Sequence, residues 1–360
     1  MRLSRNSIFM VGFLLILAGL LTVRCSDDNK SVNSNPEYGW APIGSGTNDN
    51  VRALAVFNDK LIAGGDFTTA GGVSATSIAA WDGLSWAPLG TETNDRVRVL
   101  NVYDNRLLAG GAFTRVGGVW ANKIAAWDGS SWAPLGMGTD QSVHALALYD
   151  GNLIAGGIFN AAGGESANRI AAWDGSSWTT LGSGLSGDVY ALTVFDNKLI
   201  AGGCFYTAGE ESTNSIAAWD GSSWAPLGTG INGAIFALTV YDNKLIVGGE
   251  FTTADEVSAN NIASWDGLSW TTLGMGTSST VRALTVYDNK LIAGGFFTTA
   301  GEANANYIAA WDGSSWTTLG IGMNERVYAL TVYENKLVAG GEFASAGEVS
   351  ANHISVWGPK

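Results

Sequence analysis

From Trp40 onward the chain alternates short apolar runs with short polar breaks, and the stretch 281–320 shows one full unit. Val281-Arg282-Ala283-Leu284-Thr285-Val286-Tyr287 is rich in β-branched and aromatic residues and predicts a first strand. Asp288-Asn289 follows as a two-residue hairpin turn, because both residue types tolerate positive φ. Lys290 to Phe297 predicts a second strand, and the polar segment Thr298–Asn306 a loop. Tyr307 to Trp311 predicts a third strand, Asp312-Gly313-Ser314-Ser315 a tight turn, and Trp316 to Gly320 a fourth strand. No segment has the period or the length of a helix.

This unit recurs. Its third strand ends on Trp at 81, 127, 173, 219, 265, 311 and 357, and its fourth opens on Trp at 40, 86, 132, 178, 224, 270 and 316. Both series have a period of 46, and together they hold 14 of the 15 Trp; Trp120 alone lies outside. A period of about 40–50 residues marks a repeat architecture. Four antiparallel strands repeated seven times predict an all-β, seven-bladed β-propeller over residues 40–360. A solenoid would require polar capping repeats, and neither terminal repeat reads as a cap.

Strand order within a blade follows from residue type. Pro stands in the fourth strand at 42, 88, 134 and 226, and sheets accept Pro at their edges, so this strand is expected outermost. The first strand carries small residues such as Ala53, Ala55, Ala191 and Thr193, which suit a crowded axis, and is expected innermost. The two Trp series are offset, so Trp40-Ala41-Pro42-Ile43-Gly44 is predicted to supply the outer strand of the last blade and latch the ring.

With strands assigned, the repeats resemble kelch-type blades of the galactose-oxidase-like superfamily. A Gly-Gly ends the second strand at 64–65, 110–111, 156–157, 202–203, 248–249, 294–295 and 340–341. An aromatic-Asp pair ends the third, here Trp-Asp (Trp357-Gly358 in the last repeat), and a Trp opens the fourth. No Gly-His precedes the Trp-Asp, which separates these repeats from WD repeats. Their regularity is also similar to that of repeats in bacterial exported surface proteins of undefined function. The resemblance implies a scaffold, since propellers of this kind host both enzymes and binding modules.

The net charge of −13 opposes nucleic acid and anionic membrane surfaces as partners, since both require a basic face. Only Cys25 and Cys204 are present, so a disulfide framework is excluded and stability must come from core burial.

The first 39 residues read differently. Arg2 and Arg5 precede an apolar run from Ile8 to Val23, which is shorter than a spanning helix and predicts a secretory signal over residues 1–25. Cys25, followed by Ser26-Asp27-Asp28-Asn29-Lys30, resembles the acylated cysteine of a bacterial lipoprotein signal, although Arg24 stands where that family has a small residue. Residues 26–39 predict a flexible tether. The implied location is the outer membrane or cell surface, or otherwise the periplasm or medium, with membrane contact only through this anchor.

Most repeated features have a structural reading. The Asp of each Trp-Asp-Gly is expected to accept backbone N–H bonds of its turn, the Trp pairs to form core between blades, and Gly-Gly to permit close backbone approach. Cys204 is expected to be a buried, inert thiol.

Function is sought where blades differ. The second residue of the innermost strand reads Arg52, Arg98, His144, Tyr190, Phe236, Arg282 and Tyr328, and the residue after Gly-Gly reads Asp66, Ala112, Ile158, Cys204, Glu250, Phe296 and Glu342. A ring of Arg, His and aromatics at one channel mouth suits a polar or anionic ligand, and drift at exposed strand starts is the plain alternative.

No zinc-ligand spacing, Ser-His-Asp arrangement or phosphate loop is present. A copper site of the galactose-oxidase type would need more His than His144 and His353. A sialidase-like arrangement of Arg52, Arg98 and Arg282 with Tyr190 or Tyr328 would bring a box one residue longer than the Asp-Gly-x-Ser-Trp turn. The sequence therefore predicts a monomeric, non-catalytic exported propeller that binds a protein or glycan at one face, without metal or cofactor. The alternatives are a structural surface-display module and a carbohydrate-active hydrolase or lyase with its site at the channel mouth.

Overall fold

The computed structural model describes residues 37–91 and 93–359. The expected signal peptide, the expected acylation site at Cys25 and all but the end of the expected tether lie outside the described residues.

Seven four-stranded antiparallel sheets carry the fold. In blade one the strands run Val51–Phe57, Lys60–Gly65, Ile78–Trp81 and Trp86–Pro88, hydrogen-bonded in chain order. Each first strand packs against the first strands of both neighbours, and Val51–Phe57 meets Val327–Tyr333, so the ring is closed with these strands innermost. The Pro-bearing fourth strands form the outer edge, where a missing N–H breaks no ladder. Each inner hairpin turns on two residues in the left-handed region, as at Asn58 (φ 48°) and Asp59 (φ 58°).

Closure follows the predicted latch. Tyr38–Pro42 is the outer strand of blade seven and pairs antiparallel with Ile354–Pro359, with Trp40 opposite Trp357. Trp40 Nε1 donates to the Leu319 carbonyl at 2.9 Å, the bond every blade makes with the one before it. Trp86 donates to Ile43, Trp132 to Leu89 and Trp178 to Leu135, each 43 residues back. One indole therefore fills a gap between blades and satisfies a buried carbonyl, a bond worth about 1 kcal/mol beyond the burial of its ring. Its partner on the third strand leans on it at ring-centroid distances of 5.2–5.5 Å.

The core is seven apolar layers, one between each pair of neighbouring blades; the layer joining Ile43, Val51 and Phe67 to Val338 and Ile354 bridges blades one and seven. Gly-Gly makes that packing possible in two ways. A Cβ on Gly64 would stand 2.7 Å from a Val97 methyl of the next blade, and one on Gly65 would run into the Asn50 carbonyl oxygen. The first glycine lets blades meet, and the second lets the innermost strand lie directly on the backbone beside it.

One segment departs from its sequence reading. The polar connection between second and third strands holds a small hairpin in every blade, as in Thr299–Ala300 with Ala303–Asn304. Two-residue strands are too short to leave a hydrophobic period. What forms them is the turn, a left-handed Gly71 in blade one and, in blade five, Asp255 at φ 50° in the equivalent place.

Candidate functional site

In each blade the pairing of first and second strands slips by one residue at the same place. Val51 pairs with Gly65 and Ala53 with Gly64, so Arg52 is the unpaired residue of a β-bulge. The same slip isolates Arg98, His144, Tyr190, Phe236, Arg282 and Tyr328. A bulge re-aims the side chain of its extra residue. All seven bulge residues are half-buried and together line one cavity of ≈ 150 Å³ at the mouth of the channel. Behind this ring the channel opens into a second cavity of ≈ 230 Å³, walled by inner-strand residues that include Ala53, Ala145, Ala191, Ala237, Ala283 and Ala329.

The ring is a chain of stacked contacts. His144 stacks on Tyr190 (5.5 Å, 20°), and Tyr190 meets Phe236 at 5.3 Å. The Arg282 guanidinium lies 4.0 Å from the Phe236 ring centre, and that of Arg52 5.1 Å from Tyr328. Phe296, from the position after Gly-Gly, bridges Arg282 and Tyr328.

Polar partners are unevenly shared. Arg52 holds Asp66 through Nε (2.9 and 2.7 Å) and through its terminal nitrogen (2.6 Å). Burial alone would raise the Asp66 pKa, but Arg52 brings it below the usual carboxylate range. The Tyr328 hydroxyl donates to Glu342 (2.9 Å) and that of Tyr190 to Asp188 (3.0 Å). Burial and this bond push the Tyr190 pKa up to about 12.

Arg98 and Arg282 have no hydrogen bond or ion pair among the described residues, and Arg98 Nε and His144 Nε2 are buried without a partner. Burial lowers the pKa of both guanidiniums; the nearby Arg96 and Arg52 add to it for Arg98, and Arg52 and Arg98 for Arg282. Burial, then Arg98, pushes the His144 pKa down to about 4, so its imidazole is neutral near pH 7. The mouth thus gathers three mutually repelling guanidiniums, of which one has a carboxylate.

The seven positions singled out in the sequence therefore share one cavity. Phe296 belongs to the variable series after Gly-Gly that the sequence singled out, whereas Asp188 was missed as a support. Asp188 lay two residues ahead of Tyr190 in a variable connection, and nothing in its spacing marked it. Cys204, expected to be buried, is exposed. It holds the position after Gly-Gly, where the second strand leaves the sheet beside the mouth. Asp82 accepts the backbone N–H groups of Leu84 (2.9 Å) and Ser85 (2.8 Å), and the equivalent Asp in blades two to six does the same. Among the described residues no group of three or more His, Cys, Asp or Glu is placed to hold a metal ion.

Comparison with known proteins agrees with the ring. The family model of the Rax2 C-terminal β-propeller domain matches residues 196–334, and that of a β-propeller domain of unknown function matches residues 104–125. No curated protein sequence matches. The WD40 β-propeller domain of Doa1 superposes with a TM-score of 0.60 at 17% identity, over 90% of this chain and 98% of that one. The WD40 repeats of RRP9 give 0.58 at 13% identity, over 89% and 97%. The extracellular domain of a hybrid two-component system protein, BT4673 of B. thetaiotaomicron, gives 0.55 at 13% identity, over 89% of this chain and 39% of that chain. The likeness is one of fold. Both family models describe β-propellers, and neither is a kelch model.

Proposed function

We propose that this chain is a non-catalytic, extracytoplasmic propeller that binds a protein or glycan partner at the channel-mouth face. The observation that carries this reading is the contrast within each blade. The frame repeats, while all seven bulge residues differ from it in chemistry and converge on one cavity. Packing requires no guanidinium there, and Arg98 and Arg282 stabilise nothing nearby through ion pairs. WD40 propellers among the structural neighbours are consistent with a scaffold role. The kelch-like assignment rests on the Gly-Gly and Trp-Asp spacing, and the exported location on the lipoprotein-like leader with Cys25.

Catalysis is disfavoured by the states of the mouth residues. Neutral His144 makes no hydrogen bond to a carboxylate among the described residues, and Tyr190 is held far above the range in which a phenol is an effective nucleophile at neutral pH. Glycan-array and pull-down binding, with an Arg52/Arg98/Arg282→Ala triple variant as control, tests the reading. Capture that the triple variant loses is expected; capture that survives it would move the binding face elsewhere. Changing Cys25→Ser should release the chain from membranes, and retention would remove the lipid anchor.

A further inference from the structure

The mouth has a composition that fits one class of ligand. Among the described residues, Arg98 Nε and His144 Nε2 are buried without a hydrogen-bond partner, and the Arg282 guanidinium meets only aromatic faces. Buried polar groups in folded proteins are almost always paired, and an unpaired buried cation is costly. The carboxylates nearby are already engaged: Asp66 by Arg52, Asp188 by Tyr190 and Arg169, Glu342 by Tyr328 and Arg326. None of these three pairs with Arg98 or Arg282, and Glu250, after Gly-Gly in blade five, is exposed. The remaining wall is aromatic, and a cavity of ≈ 150 Å³ is the size class that holds one six-membered ring.

Resting on the reading of the mouth as the binding face, we propose that it takes a carboxylate borne on a six-membered ring, as in a terminal uronic-acid sugar or an aromatic acid. The carboxylate lies between Arg98 and Arg282, which offer planar, paired donors that match its two oxygens. It also relieves the mutual repulsion of the three guanidiniums. The ring packs on the Tyr190–Phe236 wall, and the phenol oxygens of Tyr190 and Tyr328 remain able to accept bonds from ring hydroxyls. The net charge of −13 makes this mouth an exception on the molecule, so the attraction is local rather than a property of the whole surface.

Calorimetric titration of the full-length chain with glucuronate, benzoate, acetate and glucose tests this. Glucuronate or benzoate should bind one to one, and whichever binds tighter identifies the sugar or the aromatic acid. Acetate, the same charge without the ring, should bind about tenfold or more weakly, and glucose not at all. Arg98→Gln and Arg282→Gln should each cost about tenfold or more while leaving the melting temperature in place, and rising salt should weaken binding. Glucose binding as tightly as glucuronate, or glucuronate and benzoate binding that both Arg→Gln variants keep, would overturn the proposal. So would no binding by either ringed acid. A neutral glycan or peptide captured on the array and lost in the triple variant would leave the mouth as the binding face and remove only the carboxylate. Capture independent of the ring would remove both.

Discussion

The outer Trp belt and the inner bulge ring sit in the same sheets and obey opposite rules. In the belt each indole is buried, hydrogen-bonded to the preceding blade and repeated seven times. In the ring no more than three of seven residues share an identity, and among the described residues Arg98 and Arg282 have no carboxylate partner. The difference lies in what each position must fit. A belt indole fills a gap with one shape and one carbonyl, and close packing leaves a single good answer. A bulge residue has been released from the ladder into a cavity, where packing fixes little and a ligand can set the choice.

The comparison is broken most severely by removing the latch. Deleting Trp40–Gly46 takes the outer strand and its indole from blade seven, exposes Trp357 and the Leu319 carbonyl, and opens the layer that holds Ile43. Burial of a Trp alone is worth about 3–5 kcal/mol. With the strand pairing lost as well, thermal unfolding should fall by about 10 °C or more and become aggregation-prone. An unchanged melting temperature would mean the ring does not depend on its closing strand.

A smaller blow at the belt separates shape from hydrogen bonding. Trp178→Phe leaves an aromatic ring but abandons the buried Leu135 carbonyl, which should cost about 1–3 kcal/mol. The same loss is expected from Trp132→Phe at Leu89, since the geometry is the same. Chemical denaturation measures both, and widely different values would show that the blades are not energetically equivalent.

That equivalence is why the fold was legible from residue types alone. Seven regular Trp, Gly-Gly and Pro series state strand number, strand order and closure, because each reports a steric demand that the sheet repeats. The mouth was legible as a set of variable positions, Arg52 to Tyr328, suited to a polar or anionic ligand, but not in its internal pairings. Which guanidinium finds a carboxylate depends on contacts between a bulge and the loop after Gly-Gly, as in Arg52–Asp66 against Arg98–Ala112. Asp188 and Cys204 were misjudged or missed for the same reason. They sit where the strands leave the sheet and the repeat stops constraining direction. The small hairpins escaped because a left-handed turn residue, Gly in most blades and Asp255 in blade five, forms them rather than a hydrophobic period.

The face opposite the mouth gives a milder test of the repeat. Its turn carboxylates Asp82, Asp128, Asp174, Asp220, Asp266 and Asp312 accept two backbone N–H groups each, which holds their pKa below the ordinary Asp value. A carboxylate with a depressed folded pKa contributes stability that is present above its unfolded value of about 3.9 and lost as pH falls through the folded one. The melting temperature should therefore decline progressively below about pH 4. A chain with Asn at all six positions should show a flatter acid limb, and an identical limb would assign acid sensitivity to other carboxylates.

The smallest expected change is the most discriminating. Arg52→Met strips Asp66 of its bidentate partner and leaves a half-buried carboxylate with only Asn50 and the more distant Arg96, so it should cost about 1–3 kcal/mol. Arg98→Met and Arg282→Met break no ion pair and no hydrogen bond among the described residues. They remove a desolvated charge that two other guanidiniums repel, while the Met stem can still fill space beside the aromatic wall. Both should leave stability unchanged or slightly raised. A fall of about 2 kcal/mol at Arg98 or Arg282 would mean that the fold itself uses these charges. A neutral or favourable result, beside a clear loss at Arg52, would show two of the ring's cations to be held in place without serving the frame, as a site waiting for its anion requires.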